Sequence, residues 1–253
     1  MRRNAGRPYL WPVMPAEADR PIRILALETA TAVASVALLE DERTRLLWVL
    51  ERPQAHAERL VPAIAEALAH AGWAYADLSA VAVSAGPGSY TGLRIGASTA
   101  KGLCLACDLA LIAVPTLEAL AWGVSPLAAH LRASVLALLD ARRQNVYAAL
   151  YEPADSGPLL RWGPELLSVE ALPERIPEPV LLVGNGAAKS APVLRSSGIS
   201  PISLPDPWMR PSAEWVGQRA FGRFRSGQRA DIASFEPLYL RDFVPGSPRD
   251  PFA

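Results

Sequence analysis

Apolar residues form short, regularly spaced runs from position 22 onward, and these runs predict the first elements of the fold. The runs at 22–29 ("IRILALET"), 34–41 ("ASVALLED") and 44–51 ("TRLLWVLE") are each bounded by polar turns, which is typical of strands. We expect these three strands to form an antiparallel meander. A helical pattern follows and ends at Gly72. Its apolar residues recur at helical spacing: Leu60, Ile64 and Leu68.

The next part of the chain alternates strands with helices. The run "LSAVAVSA" at 78–85 predicts a buried strand, and a glycine-rich turn and a helix to about residue 106 follow it. A short strand at 109–114 ("LALIAV") and a helix at 115–124 complete the series. Strands that alternate with helices indicate an α/β fold class.

The series then begins again. The segment 134–152 aligns under 23–40 with an offset of 112, so that Glu28 falls on Asp140 and Ala37 on Ala149. A strand into a glycine turn at 179–189 and an amphipathic helix at 211–227 follow in the same order. Two matches in one order indicate a duplicated strand–strand–strand–helix–strand–helix unit.

Such a duplication predicts two lobes, each with a mixed sheet flanked by helices. We place them at 22–124 and 125–253, after a flexible tail at 1–21. If the two units face each other, both acids and both hairpin turns point into one cleft. Actin, hexokinase and Hsp70 nucleotide-binding domains have this plan.

Composition limits the classes of function. The 253 residues carry equal numbers of basic and acidic side chains, so no global field attracts nucleic acid or membrane. No apolar run reaches the roughly 18 residues that span a bilayer. The tail is basic and interrupted by prolines, which is not typical of a signal peptide. We therefore expect a cytoplasmic location.

The histidine and cysteine positions give little support for a metal site or a redox site. None of the three histidines, His56, His70 and His130, lies four residues from another, so the simplest helical metal site is missing. The C-x-x-C pair, Cys104 and Cys107, continues a helix and has no second pair. We interpret both cysteines as small apolar residues, and a redox role stays open.

The glycine-rich turn "SAGPGSYTGLRIG" at 84–96 raises the question of phosphate binding. No lysine follows Gly92, so the P-loop pattern fails, and the spacing of the dinucleotide fingerprint fails as well. Pro87 has no amide hydrogen. A helix start near Gly92, capped by Ser89 or Thr91, permits a phosphate without specifying one. We expect this turn instead to pass close to a neighbouring backbone.

Both hairpin turns lack the glycines with which backbone amides converge on a phosphate. The first contains Glu28 and Thr29, and the second contains Asp140, Arg142 and Arg143. We interpret these five residues as a vestigial nucleotide cleft, with no catalytic residue, metal or cofactor. An actin-like ATPase or kinase is the alternative. A metallopeptidase is disfavoured because no histidine pair is present.

Several segments, in order, resemble the landmarks of the bacterial TsaB (YeaZ) family. They cover nearly the whole chain from about 22 to 242: "LALETATAVASVAL", "AHAERLVPAI", "GPGSYTGLRIGASTAKGL", "PTLEALA", "DARRQNVYAALY", "LVGNGA" and "EPLYLRD". The resemblance implies a two-lobed actin-like (ASKHA, RNase H-like) fold and a role in making threonylcarbamoyladenosine in tRNA. Glu28 departs from the family, in which aspartate is common at that position.

The resemblance also implies the partners. It implies a non-catalytic subunit that forms a heterodimer with TsaD, and the ATPase TsaE joins this complex. Contact with tRNA is expected only through the complex, and no membrane contact is expected. A homodimer of the isolated chain stays open. The helices that begin near His56 and Gly92 are expected to join two partner helices in a four-helix bundle. The expected contacts are His56, Leu60, Ile64, Leu68, Leu93, Gly96, Ala97 and Ala100, and a glutamate at Leu60 or Ala97 is expected to abolish association without unfolding the chain.

Overall fold

A computed structural model describes residues 20–51, 56–154, 157–206 and 208–240. The tail predicted at 1–21 lies outside the described residues except for its last two positions. Ten strands are present in these ranges: β1 (Arg23–Glu28), β2 (Ala34–Glu40), β3 (Arg43–Leu50), β4 (Ala80–Ser84), β5 (Ala110–Val114), β6 (Ser134–Asp140), β7 (Asn145–Glu152), β8 (Leu159–Ser168), β9 (Val180–Val183) and β10 (Ile202–Ser203). Five α-helices accompany them: α1 (His56–Ala71), α2 (Tyr90–Cys107), α3 (Thr116–Leu131), α4 (Ala187–Ser196) and α5 (Ala213–Arg225).

The strands form two sheets of the same topology. The first has the order β3-β2-β1-β4-β5, and the second, read in the same direction, has the order β8-β7-β6-β9-β10. In each sheet the first three strands pair antiparallel and the last pairs are parallel. The repeated topology confirms the predicted duplication and the α/β fold class. The copies differ in the segment before the fourth strand. The first copy has helix α1 there, and the second has two 3₁₀ turns, Val169–Ala171 and Pro173–Arg175.

The helices and sheets stack in five layers. Helices α1 and α2 cover the outer face of the first sheet, and α4 covers the outer face of the second. Between the sheets lie α5, which packs on the first sheet, and α3, which packs on the second. Apolar side chains of both sheets and both middle helices form one continuous core. Burial of this core is the main force that joins the two halves.

Each middle helix packs on the sheet of the other half of the chain. Helix α3 follows the strands of the first sheet along the chain, yet it packs on β6, while α5 ends the second half and packs on β1 and β2. The boundary expected between residues 124 and 125 falls within α3. The division into lobes at 22–124 and 125–253 therefore stays a proposal.

Polar and close contacts fasten the two middle helices. The carboxylate of Glu118 on α3 accepts hydrogen bonds from the guanidinium groups of Arg219 and Arg223 on α5. Gly123 lies so close to Trp215 that a β-carbon on the glycine would come within 2.3 Å of the indole ring. Only glycine permits this approach, so the crossing of the two helices depends on Gly123.

After α5 the chain returns to the first sheet. Ala230 pairs with Leu111 on β5, and the amide of Leu238 donates to the Ala85 carbonyl oxygen at 2.8 Å. The partly buried Phe235 packs against the core of the first sheet and its outer helices. Among the described residues, no helix combines the length and the apolar character that crossing a lipid bilayer requires.

Candidate functional site: the glycine loop, the hairpin turns and the α1–α2 groove

The glycine loop leads from β4 into α2, and Ser89 caps the helix. The Ser89 hydroxyl accepts a hydrogen bond from the Gly92 amide at 3.3 Å, which confirms one of the two predicted caps. The helix begins at Tyr90, two residues before the predicted start.

The loop closes directly on the turn that follows β1. The Ser89 amide donates to the Ala30 carbonyl oxygen at 2.7 Å. A β-carbon on Gly88 would lie 2.5 Å from that oxygen, and one on Gly92 would lie 2.1 Å from the Thr29 carbonyl oxygen. These glycines therefore serve backbone packing, as expected from the sequence. The space in which a phosphate would meet the start of α2 is occupied by the chain itself.

Glu28 is fully buried at the end of β1 and braces this turn. One carboxyl oxygen accepts a hydrogen bond from the Ala30 amide at 2.5 Å, and the side chain also bonds to the Ser84 hydroxyl. The other oxygen has no hydrogen-bond partner among the described residues. Burial raises the pKa of Glu28 to about 7, against the hydrogen bonds, which lower it. Burial thus disfavours the ionised form of this carboxyl, and the group changes its charge near neutral pH.

Asp140 ends β6 in a different setting. It is half-exposed, and the Lys189 ammonium on α4 contacts its carboxylate at 2.5 Å. The same ammonium binds the carbonyl oxygens of Arg143 at 3.0 Å and Asn145 at 2.5 Å. Partial burial is the largest single influence on Asp140 and opposes its ionisation, but the hydrogen bonds from the Lys189 ammonium and the Arg142 amide, together with the positive charges of both residues, outweigh it and lower the pKa.

The two acids do not face a common cleft. Side chains alternate between the faces of a strand, and Glu28 follows Ile24 and Ala26 on the face that meets the middle helices. Asp140 follows Leu136 and Leu138 on the outer face, beneath α4. The predicted equivalence of the two acids is therefore wrong. Residues of β1 correspond to residues 111 positions later in β6, so Glu28 corresponds to Leu139. The second turn is one residue longer than the first, and the offset is therefore 112 in the next strand, where Ala37 corresponds to Ala149.

The other three residues predicted for the nucleotide cleft differ from one another in burial. Thr29 is buried, and its hydroxyl has no hydrogen-bond partner among the described residues. Arg142 and Arg143 are exposed on the second turn. Within the described ranges, no group of three or more His, Cys, Asp or Glu side chains is placed to hold a metal ion.

None of the residues expected at a partner interface is exposed on α1 or α2, although Ile64 also lines a groove between the two helices. All eight are buried within the chain itself: His56, Leu60, Ile64, Leu68, Leu93, Gly96, Ala97 and Ala100. A charge at Leu60 or Ala97 would therefore enter the core. The expectation that such variants stay folded has no support, because an unpaired buried charge is strongly destabilising.

A groove runs between the exposed sides of the same two helices. It encloses about 180 Å³ and is lined by Val61, Ile64, Tyr75, Ser98, Thr99, Gly102 and Leu103. Val61 is 55% exposed, and Leu105, one turn beyond the groove on α2, is 72% exposed. Ile64 was among the contacts predicted from the sequence. Val61 and Leu105 were missed, because an exposed apolar residue on a helix cannot be told from a buried one when the helix is apolar on several sides.

The cysteines fit a packing role. Cys104 is buried in the core beneath α2, and burial raises the pKa of its thiol to about 11. Cys107 packs at the edge of the same core, and both thiols are free. A thiol with so high a pKa is a poor nucleophile at neutral pH.

The duplicated sheets, with two helices buried between them, define a two-lobed protein of the actin-like class. A model of the TsaD family, tRNA N6-adenosine threonylcarbamoyltransferase, matches residues 51–172. The TsaB protein of Escherichia coli, named as a tRNA threonylcarbamoyladenosine biosynthesis protein, is 33% identical over 88% of this chain and 96% of its own length. The Haemophilus influenzae protein of that name is 31% identical over 88% of this chain and 95% of its own.

Solved structures agree with these relatives. YeaZ from Pseudomonas aeruginosa is 29% identical, with a TM-score of 0.71 over 87% of this chain and all of that one. A second Pseudomonas aeruginosa structure, described as an uncharacterized protein with similarity to peptidase YEAZ, has the same identity and coverage and a TM-score of 0.73. This chain belongs to the TsaB (YeaZ) family, which confirms the resemblance, and the family's place is in tRNA threonylcarbamoyladenosine biosynthesis.

Proposed function

We propose that this chain is a non-catalytic subunit that binds and activates the threonylcarbamoyltransferase TsaD. In this role it supports transfer of the threonylcarbamoyl group to the adenosine beside the anticodon of tRNA in the cytoplasm. The ATPase TsaE joins the same complex. The chain itself supplies no reacting group, no metal and no cofactor.

The closed glycine loop is the observation that carries this proposal. In an actin-like ATPase, the amides of such loops must be free to meet phosphate oxygens. Here the Ser89 amide is bonded to the Ala30 carbonyl oxygen, and Gly92 lies against Thr29. Opening that site would break contacts of the folded state. This argues against the ATPase or kinase alternative.

The acids support the same conclusion. Glu28 is buried and braces its own turn, while Asp140 is neutralised by Lys189 on another face. Two carboxylates that bind one metal ion must approach it together. These two belong to separate layers of the fold, so a shared ion would require the sheets to be rebuilt.

The groove between α1 and α2 is the surface that we propose for TsaD. It is apolar at its floor, it presents the exposed Val61, and its wall at Gly102 has open space beside the helix. Close approach of a partner helix to a glycine on α2 would give a compact four-helix bundle. Without TsaD, a second copy of this chain could occupy the groove and form a homodimer.

Reconstitution tests the proposed function. The chain, TsaD and TsaE are purified separately, and the threonylcarbamoyl content of an unmodified tRNA transcript is measured with the threonylcarbamoyl-adenylate substrate supplied. We expect modification with all three proteins and almost none when this chain is left out. ATP turnover by the isolated chain, or full modification without it, would contradict the proposal.

A further inference from the structure

The tip of the second hairpin has a backbone that its side chains do not favour. Arg142 and Arg143 adopt left-handed conformations in succession, with φ of 66° and 51°. Such conformations are uncommon for residues with a β-carbon, and glycine or asparagine usually occupies them. A strained backbone that persists is grounds for a hypothesis about function.

The first copy of the repeat shows that the fold does not require this strain. The turn from Thr29 to Val33 connects the equivalent strands, and none of its residues has a positive φ. That turn is closed over by the glycine loop, with Thr29 and Ala30 buried. The second turn carries two exposed arginines instead. Duplication thus produced one closed turn and one open, basic turn.

The charges of this tip are available to a ligand. Asp140, the nearest acid along the chain, is engaged by the ammonium of Lys189. Lys189 also holds the carbonyl oxygens of Arg143 and Asn145, which fixes the backbone of the turn. Neither guanidinium group forms an ion pair within 4.0 Å with another described residue, although the charge of Arg142 helps to lower the pKa of Asp140. A fixed backbone that presents two exposed guanidinium groups is suited to binding phosphate oxygens, because only the side chains, and not the turn, must become ordered on contact.

We propose that Arg142 and Arg143 bind the phosphate backbone of the tRNA when this chain is part of the modification complex. The inference rests on the proposed function, which supplies the RNA. The net charge of the chain is zero, so the attraction is local to this tip and adds affinity without reading sequence. Lys189 acts as a positioning residue for the turn.

The test is the double variant Arg142→Asn with Arg143→Gly in the assembled complex. Asparagine and glycine accept left-handed backbone, so we expect an equal or higher melting temperature and unchanged elution with TsaD. We expect the dissociation constant for an unmodified tRNA transcript to rise about tenfold, and the dependence of log K on log salt to weaken by about one for each arginine. Modification should fall at low tRNA and recover at saturating tRNA.

A matched double variant controls for charge alone. Arg43→Gln with Arg195→Gln removes two exposed arginines from ordinary strand and helix positions. We expect its tRNA affinity to stay within about twofold of wild type, because those side chains lie elsewhere on the surface.

Each contrary outcome has a separate meaning. An unchanged tRNA affinity and salt dependence in the hairpin variant would reduce the arginines to solvated turn residues and overturn the inference. Loss of TsaD from the hairpin variant would assign the tip to a protein contact and overturn it as well. Failure of the wild-type complex to modify tRNA would instead reject the proposed function, and direct tRNA binding by the same wild-type and variant proteins would still decide the inference.

Discussion

Gly92 on α2 and Thr29 in the first hairpin turn lie so close that a β-carbon on the glycine would come within 2.1 Å of the threonine carbonyl oxygen. Gly96, one turn later, makes a similar approach to the Thr29 hydroxyl, at 2.3 Å. The helix and the turn therefore form one packed unit. This contact occupies the space that a phosphate would need, and it also fixes the position of α2 on the sheet.

The first prediction follows from this contact. Gly92→Ala should destabilise the chain by about 1–3 kcal/mol, because the added methyl group meets backbone atoms that cannot move without shifting the hairpin. Urea unfolding followed by circular dichroism measures the change. Gly102→Ala is the control, since a β-carbon there meets nothing within 4 Å, and it should stabilise α2 by about 0.5–1 kcal/mol. Equal stability of Gly92→Ala and wild type would show that the first hairpin turn can shift to accommodate the methyl group at little cost in free energy.

The second prediction concerns pH. Glu28 is protonated more readily in the folded chain, where its pKa is about 7, than in the unfolded chain, where the ordinary value is 4.5. Between these pH values the unfolded chain releases the proton and the folded chain keeps it, so stability falls as pH rises. The loss is about 3 kcal/mol in total. Glu28→Gln should remove this slope and be the more stable protein at pH 8.

The difference in unfolding free energy between wild type and Glu28→Gln, measured at pH 5, 6, 7 and 8, isolates this group. Glu40→Gln is a control of opposite sign, because a hydrogen bond from Arg45 lowers the pKa of Glu40. Measured from pH 2 upward, that variant should lose stability relative to wild type as pH rises to the ordinary value of 4.5, and the difference should stay constant from pH 5 to 8. Parallel pH profiles for wild type and Glu28→Gln would mean that the Glu28 carboxyl ionises in the fold without cost.

The order of strands and helices could be predicted from the sequence, because each buried element appears as an apolar run of characteristic length and spacing. The strand predicted at 22–29 is observed as Arg23–Glu28, and the closing helix predicted at 211–227 as Ala213–Arg225. Both lie within two residues of their expected ends. The duplication was visible because both copies keep the same order of buried strands.

The orientation of the second acid could not be predicted. One extra residue in the second turn moves the alignment between β1 and β6 by one position, and one position on a strand reverses the face. The predicted interface residues, which stay a prediction, are buried in the chain for a related reason. The apolar stripe Leu60, Ile64 and Leu68 is the strongest signal on α1, and the strongest stripe is the one that packs on the sheet.

The third prediction concerns the contact between the middle helices. Glu118→Ala would leave the guanidinium groups of Arg219 and Arg223 without their shared carboxylate in a setting where all three side chains are at most 26% exposed. We expect a loss of about 3 kcal/mol in unfolding free energy. Glu152→Ala, which breaks an exposed pair with Arg161, should cost less than about 1 kcal/mol. Similar losses in the two variants would mean that the contact between the helices is not specially stabilised by these charges.

The last prediction tests the groove. Gly102→Arg places a long side chain in the groove between α1 and α2, where the structure offers open space, so the chain should fold and α2 should gain helix propensity. A partner helix could then no longer approach, and association with TsaD in size-exclusion chromatography should be lost. Gly222→Arg is the matched control, an exposed glycine of α5 whose β-carbon would meet only the end of Arg219 at 3.7 Å. That variant should associate and support tRNA modification like wild type. If Gly102→Arg also co-elutes with TsaD and sustains modification, TsaD binds another surface, because a blocked groove cannot accept a helix.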